Sequence, residues 1–336
     1  MWDNILGHQK EKEFLARYLE AQERPHALLF VGPSGLGKKK LALEFAKALL
    51  CEHHNAQDHC EACRLMNLED GNLSHPDFLF IKREPDEKTG RLKDISKEQI
   101  LDLISKTGFA PVMSETKVCV IEDVDRMGNI APHTFLKVLE EPPVGWVMVL
   151  IATDESKLLS TILSRVVCLR FQPVPLEDVE MMLRQNGVPQ EKAAVLARIS
   201  EGSIGKALAL ADEDIFDMRK QAKAFLEALP LNTPFNYLSG RIWQQKGFER
   251  PQALLFTKLL QLLLRDILMQ KLHLHDKIYN CDLPSELAVL ARGWKIIGLK
   301  LALASVQEAF AALENNVGIR VALESMALKI DEIYKE

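Results

Sequence analysis

Short apolar runs alternate with helix-length amphipathic segments along the first half of the chain. The runs are rich in β-branched or aromatic residues, and the first is followed at once by apolar residues at helical spacing. Such runs predict buried strands, and their alternation with helices predicts a parallel sheet with helices on both faces. The five predicted strands lie within 26–31, 78–81, 118–121, 147–151 and 166–171.

The second half of the chain shows no strand pattern. The segment 172–175, Gln-Pro-Val-Pro, predicts a hinge because its two prolines restrict the backbone. Helical patterns continue to the end, with long apolar-periodic stretches at 254–269 and 301–313. We therefore predict an α/β plus all-α protein of three domains. They are an α/β domain over 1–172, a small helical domain over 173–213 and a larger helical domain over 214–336.

Composition narrows the class of protein. Hydrophobic residues make up 47% of the chain and charged residues 26%, as is ordinary for a soluble globular protein. No stretch approaches the roughly 18 uncharged apolar residues that a membrane span needs, and the start shows no signal-peptide pattern. We therefore expect a cytoplasmic protein without a membrane partner. A net charge of -5 argues against a protein whose main task is to coat nucleic acid.

A glycine-rich segment joins the first predicted strand to the first predicted helix. It matches G-x-x-x-x-G-K, in which backbone N–H groups cradle phosphates and the lysine reaches the β- and γ-phosphates. A turn that only joins strand to helix is the alternative. The predicted nucleotide-binding residues are Gly32, Pro33, Ser34, Gly35, Leu36, Gly37, Lys38 and Lys39.

Lys39 departs from the full motif. That position normally holds a Ser or Thr whose hydroxyl ligates Mg²⁺. A lysine ammonium can only donate hydrogen bonds, so it cannot ligate the ion. ATP and Mg²⁺ stay candidate ligands, but we expect this nucleotide site to be degraded.

Acidic residues follow the third predicted strand. The apolar run 118–121 is followed by Glu122-Asp123 and then by Asp125, the arrangement expected of a Walker B segment. In ATP-hydrolysing proteins such carboxylates hold the metal ion and orient water. A charged loop after a buried strand is the alternative interpretation.

Four further segments resemble the clamp-loader AAA+ ATPase family, the first three of them also in their order and spacing. Residues 3–9, D-N-I-L-G-H-Q, resemble the opening of its ATPase domains, and 133–143, H-T-F-L-K-V-L-E-E-P-P, resemble its N-A-L-L-K-x-L-E-E-P-P helix. Residues 159–165, L-S-T-I-L-S-R, are similar to its T-I-x-S-R segment, and 315–324 to the end of its helical collar. The resemblance implies an AAA+ nucleotide-binding domain over the predicted α/β domain, followed by a helical lid and a helical collar that forms oligomers.

The resemblance also assigns the nucleotide site and shows where it departs from an active one. Motor subunits of the family read Asp-Glu where this chain reads Glu122-Asp123, and a misplacement of about 1 Å can cost roughly a hundredfold in rate. Thr153 falls at the first sensor position. Residues 201–208 are similar to the second sensor motif, G-S-x-R-x-A-L, but Gly205 replaces its arginine. With Lys39, these departures imply weak or absent ATPase activity.

The resemblance gives Arg165 a role at a neighbouring subunit. The arginine of the T-I-x-S-R segment acts in trans, as an arginine finger on the neighbour's nucleotide. A guanidinium aimed at the γ-phosphate stabilises the transition state and can contribute roughly 10³ to 10⁵ in rate. A structural ion pair at the start of a strand is the alternative. Arg165 is the one catalytic residue that we expect.

A cysteine cluster resembles the zinc module of the same family, near 51–66. Cys51, Cys60 and Cys63 match three of its four cysteines, but Met66 stands at the fourth position. A thioether is a poor zinc ligand compared with a thiolate or an imidazole. Zinc therefore stays a candidate with an open fourth ligand, and a relic module with free thiols is the alternative. The imidazoles that might complete the site are His53, His54, His59 and His75.

The resemblance implies a function in DNA replication. The chain would be a stator in the DNA polymerase III clamp loader, a hetero-pentamer with gamma/tau motor subunits and a delta subunit. The assembly loads the sliding clamp onto primed DNA. The clamp and the DNA would be partners of this subunit through the assembly. Two alternatives stay open. One is an active motor subunit of the gamma/tau type, and the other is a nucleotide-binding sensor outside replication.

Overall fold

The structure is a computed structural model of the chain. It describes residues 2, 4–54, 60–68, 70–86, 92–128, 130–212, 215–231 and 249–336. The chain divides into two compact units, one of 1–178 with 202–205 and the other of 179–201 with 206–336. The three-domain division expected from the sequence stays a prediction.

The first unit contains a five-stranded parallel sheet. All five apolar runs form strands, which confirms the predicted fold class. The strand order is β2-β3-β4-β1-β5, so β1 lies between β4 and β5 and pairs with both. The strands are β1 (Ala27–Val31), β2 (Phe78–Ile81), β3 (Lys117–Ile121), β4 (Trp146–Ala152) and β5 (Val167–Arg170).

Helices cover both faces of the sheet because successive strand residues point to opposite sides. On one face, Leu28 and Phe30 of β1 pack with Phe45. On the other face, Leu29 of the same strand packs in a second cluster with Phe135. The helices of this unit are α1 (Gln9–Glu20), α2 (Lys38–Leu50), α3 (Glu61–Leu65), α4 (Lys97–Thr107), α5 (Ala131–Glu140) and α6 (Ser160–Leu163).

The described residues after β5 form helices and their connections, with no strand among them, as the sequence pattern predicts. A long central helix, α11, packs against α10, α12 and α13, and its Leu260, Leu263 and Ile267 are fully buried. The helices are α7 (Leu176–Gln185), α8 (Gln190–Ile199), α9 (Ile204–Asp212), α10 (Ile215–Glu227), α11 (Arg250–Lys271), α12 (Pro284–Arg292), α13 (Ile296–Glu314) and α14 (Ile319–Lys335).

Helix α13 is long and apolar enough to cross a membrane by length and composition alone. The sequence expectation concerned uncharged apolar stretches, and α13 contains Lys300 and Glu308, so this helix does not contradict it. A core helix of a soluble protein passes the same test, however, and one such helix is weak support for a membrane span. Leu299, Ala302 and Val306 form a buried stripe on a helix that packs against α11 and α14. The absence of a membrane partner stays a prediction.

Candidate functional site

The predicted phosphate loop lies between β1 and α2, as the motif requires. Three of its glycines have positive φ: Gly32 at 151°, Gly35 at 80° and Gly37 at 87°. At Gly32 a Cβ atom would also lie 2.5 Å from the carbonyl oxygen of Phe171. Only glycine fits this combination of conformation and close approach. The glycine spacing in the sequence is therefore a steric requirement of the loop.

Lys38 is buried within the loop that it follows. Its ammonium donates to the carbonyl oxygens of Gly32 and Pro33, at 2.6 Å from the latter. Burial lowers the pKa of Lys38, an effect that the nearby Asp125 and Asp123 oppose. The Lys38 ammonium thus donates its hydrogen bonds to these two carbonyl oxygens. To bind Lys38, a phosphate would have to replace them as the acceptor.

Lys39 forms an ion pair with the first predicted Walker B acid. Its Nζ lies 2.9 Å from Oε2 of Glu122 and 5.0 Å from the centre of the Phe80 ring. A magnesium ion needs oxygen ligands, and this position offers an ammonium instead. The residues present therefore do not fit the Mg²⁺ site of an active ATPase.

Asp123 follows Glu122 in a left-handed backbone conformation, with φ 57°. Its Oδ2 lies 4.0 Å from Nη1 of Arg83, which follows β2. Burial raises the pKa of Asp123, and the neighbouring Glu122 and Asp125 carboxylates raise it further. Both acids of the predicted Walker B segment thus face a basic side chain of the same chain.

Asp125 also belongs to this site, although only Glu122 and Asp123 were assigned as the Walker B pair from the sequence. The backbone N–H and the hydroxyl of Thr153 donate to its Oδ2, at 3.2 Å and 2.5 Å. Its Oδ1 is buried without a hydrogen-bond partner among the described residues. The contact brings the predicted first sensor residue, just after β4, to the acidic segment after β3. In the sequence, the place of Asp125 as the third acid after the predicted strand was the only indication that it belongs to the site.

The predicted second sensor position packs directly on the phosphate loop. The N–H of Gly205 donates to the carbonyl oxygen of Gly35 at 2.8 Å, and the hydroxyl of Ser203 donates to that of Ser34 at 3.1 Å. A Cβ atom at position 205 would lie 3.1 Å from Cα of Gly35. Gly205 therefore offers no guanidinium to a phosphate, and its lack of a side chain permits this close backbone contact.

Arg165 lies just after α6, and its partners are on α5 and α6. Its Nη2 lies 3.0 Å from Oε1 of Glu140, and its Nη1 donates to the carbonyl oxygen of Thr161 at 2.8 Å and to the hydroxyl of Ser164 at 3.1 Å. No hydrogen bond or ion pair joins it to the described residues of the phosphate loop. The partners that the structure gives to Arg165 all lie at the end of α5 and around α6.

The three cysteines of the predicted zinc module come together between α2 and α3. Their sulfur atoms lie within 4.8 Å of one another, and those of Cys51 and Cys60 are 3.8 Å apart. A tetrahedron of thiolates about 2.3 Å from zinc places the sulfur atoms roughly 3.8 Å apart. Burial raises the pKa of the Cys63 thiol to about 12, and the two neighbouring cysteines add to this. The three sulfur atoms therefore fit three corners of a zinc site.

The fourth corner has no ligand among the described residues. Met66 is fully buried in the hydrophobic core, and Nδ1 of His54 lies 3.3 Å from the carbonyl oxygen of Ala48. His75 is not in the cysteine group; the N–H of Asp77 donates to its Nδ1, and its Nε2 pairs with the hydroxyl of Ser114. His53 is not part of the cysteine group, and His59 lies outside the described residues.

Comparison with known proteins identifies the family. The sequence model described as "DNA polymerase III, delta subunit" matches residues 7–175. "DNA polymerase III subunit delta'" of Bacillus subtilis is 29% identical over 95% of each chain. "DNA polymerase III subunit tau/gamma" of Haemophilus influenzae is 32% identical over 63% of this chain but 30% of its own length. A gamma subunit-related protein of Thermotoga maritima is similar at TM-score 0.44 and 19% identity, over 96% of this chain and 99% of that one.

The resemblance that the sequence motifs indicated is confirmed by these matches. The family model matches the segment that contains the sheet and the phosphate loop, and the Bacillus subtilis relative aligns with almost the whole chain. This chain belongs to the DNA polymerase III, delta subunit family.

Proposed function

We propose that the chain is a delta′-type subunit of a bacterial DNA polymerase III clamp loader in the cytoplasm. It acts as a stator beside gamma/tau motor subunits and a delta subunit in a hetero-pentamer. That assembly opens the sliding clamp and loads it onto primed DNA. One observation carries the proposal: the "DNA polymerase III subunit delta'" relative aligns over 95% of both chains. The tau/gamma relative of Haemophilus influenzae aligns with 63% of this chain.

The geometry of the nucleotide site supports a subunit that hydrolyses little or no ATP. Lys39 pairs with Glu122 where a motor would hold magnesium, and Arg83 faces Asp123. Gly205 brings backbone rather than a guanidinium to the loop. These three departures all remove groups that stabilise charge on transferring phosphates.

Arg165 supports a role in trans. Its side chain is 34% exposed, and Glu140 and two groups at α6 hold its guanidinium. The neighbour's γ-phosphate would have to take the place of Glu140 as its anionic partner. An exposed ion pair contributes about 0 to 1 kcal/mol, so this exchange costs little. The arginine is therefore preorganised at the surface and free to be captured by a stronger anion.

The cysteine group supports a bound zinc ion within this proposal. Cys51, Cys60 and Cys63 would hold the ion, which would tie the C-terminal end of α2 to α3. The ion would be structural, because the group follows the end of α2 and the phosphate loop precedes its start. Its fourth ligand would come from water or from an imidazole such as that of His59.

A motor subunit of the gamma/tau type is the second candidate. The 32% identity to the tau/gamma relative over 63% of this chain favours it. A motor would hydrolyse ATP in a magnesium-dependent reaction without help from other subunits.

The proposal is tested by measuring ATP turnover by the chain alone and by the chain mixed with other clamp-loader subunits. The purified chain is assayed alone and with gamma/tau and delta subunits of its own organism, as wild type and as Arg165→Ala. We expect no turnover alone, strong turnover in the wild-type mixture and a large loss with the variant, since such fingers contribute roughly 10³ to 10⁵ at their site.

Arg170→Ala is the matched control, because Arg170 is also an exposed arginine, paired with Glu155 at 3.0 Å. The control mixture should turn over ATP as the wild-type mixture does. If the Arg165→Ala mixture turned over ATP as fast as the wild-type mixture, the assignment of Arg165 as an arginine finger would be refuted. Robust turnover by the chain alone would identify a motor subunit instead.

A further inference from the structure

A basic side chain lies near each of the first two acids that follow β3. Lys39 lies 2.9 Å from Glu122, and Arg83 lies 4.0 Å from Asp123. The two basic residues come from different elements, α2 and the segment after β2. At Glu122, positive charge of the kind that a metal ion would bring is therefore supplied by Lys39, whereas Arg83 is shared between Asp123 and Asp94, 3.7 Å away.

The ammonium of Lys39 lies where the loop and the acidic segment meet, on a side chain that is 47% exposed. Lys39 follows Lys38 directly in the first turn of α2, so its backbone position is set by the phosphate loop. Its Nζ has Glu122 as its anionic partner and the Phe80 ring at 5.0 Å. An aromatic face attracts a cation at this distance. Two contacts from two neighbouring strand ends thus define one position for the positive charge.

A magnesium ion and this ammonium compete for the Glu122 carboxylate. The ion requires oxygen ligands at about 2.0 to 2.1 Å in octahedral geometry and carries two positive charges. Here the hydroxyl ligand is missing and Glu122 is occupied by a cation. A metal ion brought to the same carboxylate would have to displace Lys39 and would be repelled by it.

We propose that this chain binds a nucleoside di- or triphosphate without magnesium, with the ammonium of Lys39 standing in for the metal ion. The proposal rests on the proposed nucleotide site and deepens it. Backbone N–H groups of the loop and Lys38 bind the phosphates, and Lys39 neutralises charge beside them. No metal-bound water is formed, so the nucleotide is held as a persistent ligand rather than a substrate.

Binding measured with and without magnesium tests this proposal. Calorimetric titration with ADP and with ATP is carried out on the full chain in excess Mg²⁺ and in excess EDTA. For the wild type we expect the same Kd in both conditions, within the error of the titration. Lys39→Thr restores the hydroxyl ligand and frees Glu122, so EDTA should weaken its binding by about 5- to 150-fold, the usual range of coupling between two ligands.

Two further variants test whether the positive charge at position 39 is what makes binding independent of magnesium. Lys39→Arg keeps the positive charge and should stay independent of magnesium. Lys40→Thr is the matched control, because Lys40 is the next residue of the same helix and its Nζ donates to the carbonyl oxygen of Asn4 at 3.0 Å. It should behave as the wild type. Circular dichroism confirms that each variant is folded.

Three results would overturn the proposal. They are wild-type binding that requires magnesium, wild-type binding in neither condition, and Lys39→Thr binding that stays independent of magnesium. None of them bears on the stator role, because the Arg165 experiment reports a neighbouring subunit's site. Conversely, an Arg165→Ala mixture with full turnover would leave the titrations unaffected.

Discussion

The Asp77 carboxylate accepts hydrogen bonds from three consecutive backbone N–H groups. Val112, Met113 and Ser114 donate to it at 2.8, 2.7 and 2.9 Å, and Asp77 is 2% exposed. Burial alone would raise the pKa of Asp77, but these hydrogen bonds outweigh it and hold the pKa below its usual value. The structure gives Asp77 a physical role, which is to organise the segment before β3.

Loss of this carboxylate should destabilise the protein in a pH-dependent way. Because the folded-state pKa is depressed, the stabilisation is present above the unfolded-state pKa and is lost as the pH falls through the folded-state pKa. Asp77→Asn should therefore lower the free energy of unfolding by about 2 kcal/mol or more at neutral pH. Urea titrations should show the gap to wild type closing below about pH 4.

Asp102→Asn provides the control for this variant. Asp102 is exposed and pairs with Lys106 at 2.7 Å, one turn along α4. Its substitution should change stability by no more than about 0.5 kcal/mol. If Asp77→Asn matched this control, the three backbone hydrogen bonds would not contribute to stability.

At the scale of elements, the cysteine group links two helices of the first unit. Cys51 is the residue that ends α2, Cys60 precedes α3 and Cys63 lies within it. Helix α3 spans 61–65, and helices this short are marginal in water without tertiary support. A bound ion would therefore be a main source of order for this module.

Metal content and chelation test the zinc proposal. Freshly purified protein should contain about one zinc per chain, and EDTA should lower its Tm, since metal that binds the folded state adds to stability. Cys60→Ser should lose the metal. Cys281→Ser should keep it, because Cys281 is an exposed cysteine of the second unit. Negligible zinc in fresh wild-type protein would establish the relic module with free thiols.

At the scale of the whole molecule, the chain has two compact units with separate buried cores. Leu150 of β4 is fully buried in the first, and Leu263 of α11 is fully buried in the second. Multidomain chains commonly depart from two-state unfolding. Two units of this kind should therefore give two thermal transitions.

Matched core truncations should identify each transition. Leu150→Ala and Leu263→Ala remove the same side-chain atoms and should each cost about 2 to 5 kcal/mol in the unit concerned. In differential scanning calorimetry, each variant should lower a different transition and leave the other in place. A single transition that both variants lower equally would show that the units unfold together.

The sequence by itself determined the elements of this protein and the location of its phosphate loop. All five strands and the long helices were predictable, because the periodicity of apolar residues follows the local geometry of the backbone. The five strands were found within one or two residues of their predicted ends. The loop was predictable because its glycines and lysine are adjacent in the chain. Lys39, Glu122 and Gly205 were recognised as departures from a pattern, which also requires only the sequence.

Only the tertiary structure decided which residues those departures meet. Lys39 and Glu122 are 83 residues apart, and the contact of Gly205 with Gly35 depends on how the segment after α8 returns to the loop. The sequence pattern assigned no contact to Arg83 or Asp125. Their contacts form only when the ends of neighbouring strands come together in the sheet. The physical reason is that a local pattern specifies backbone conformation, whereas charge pairing depends on distances that packing alone sets.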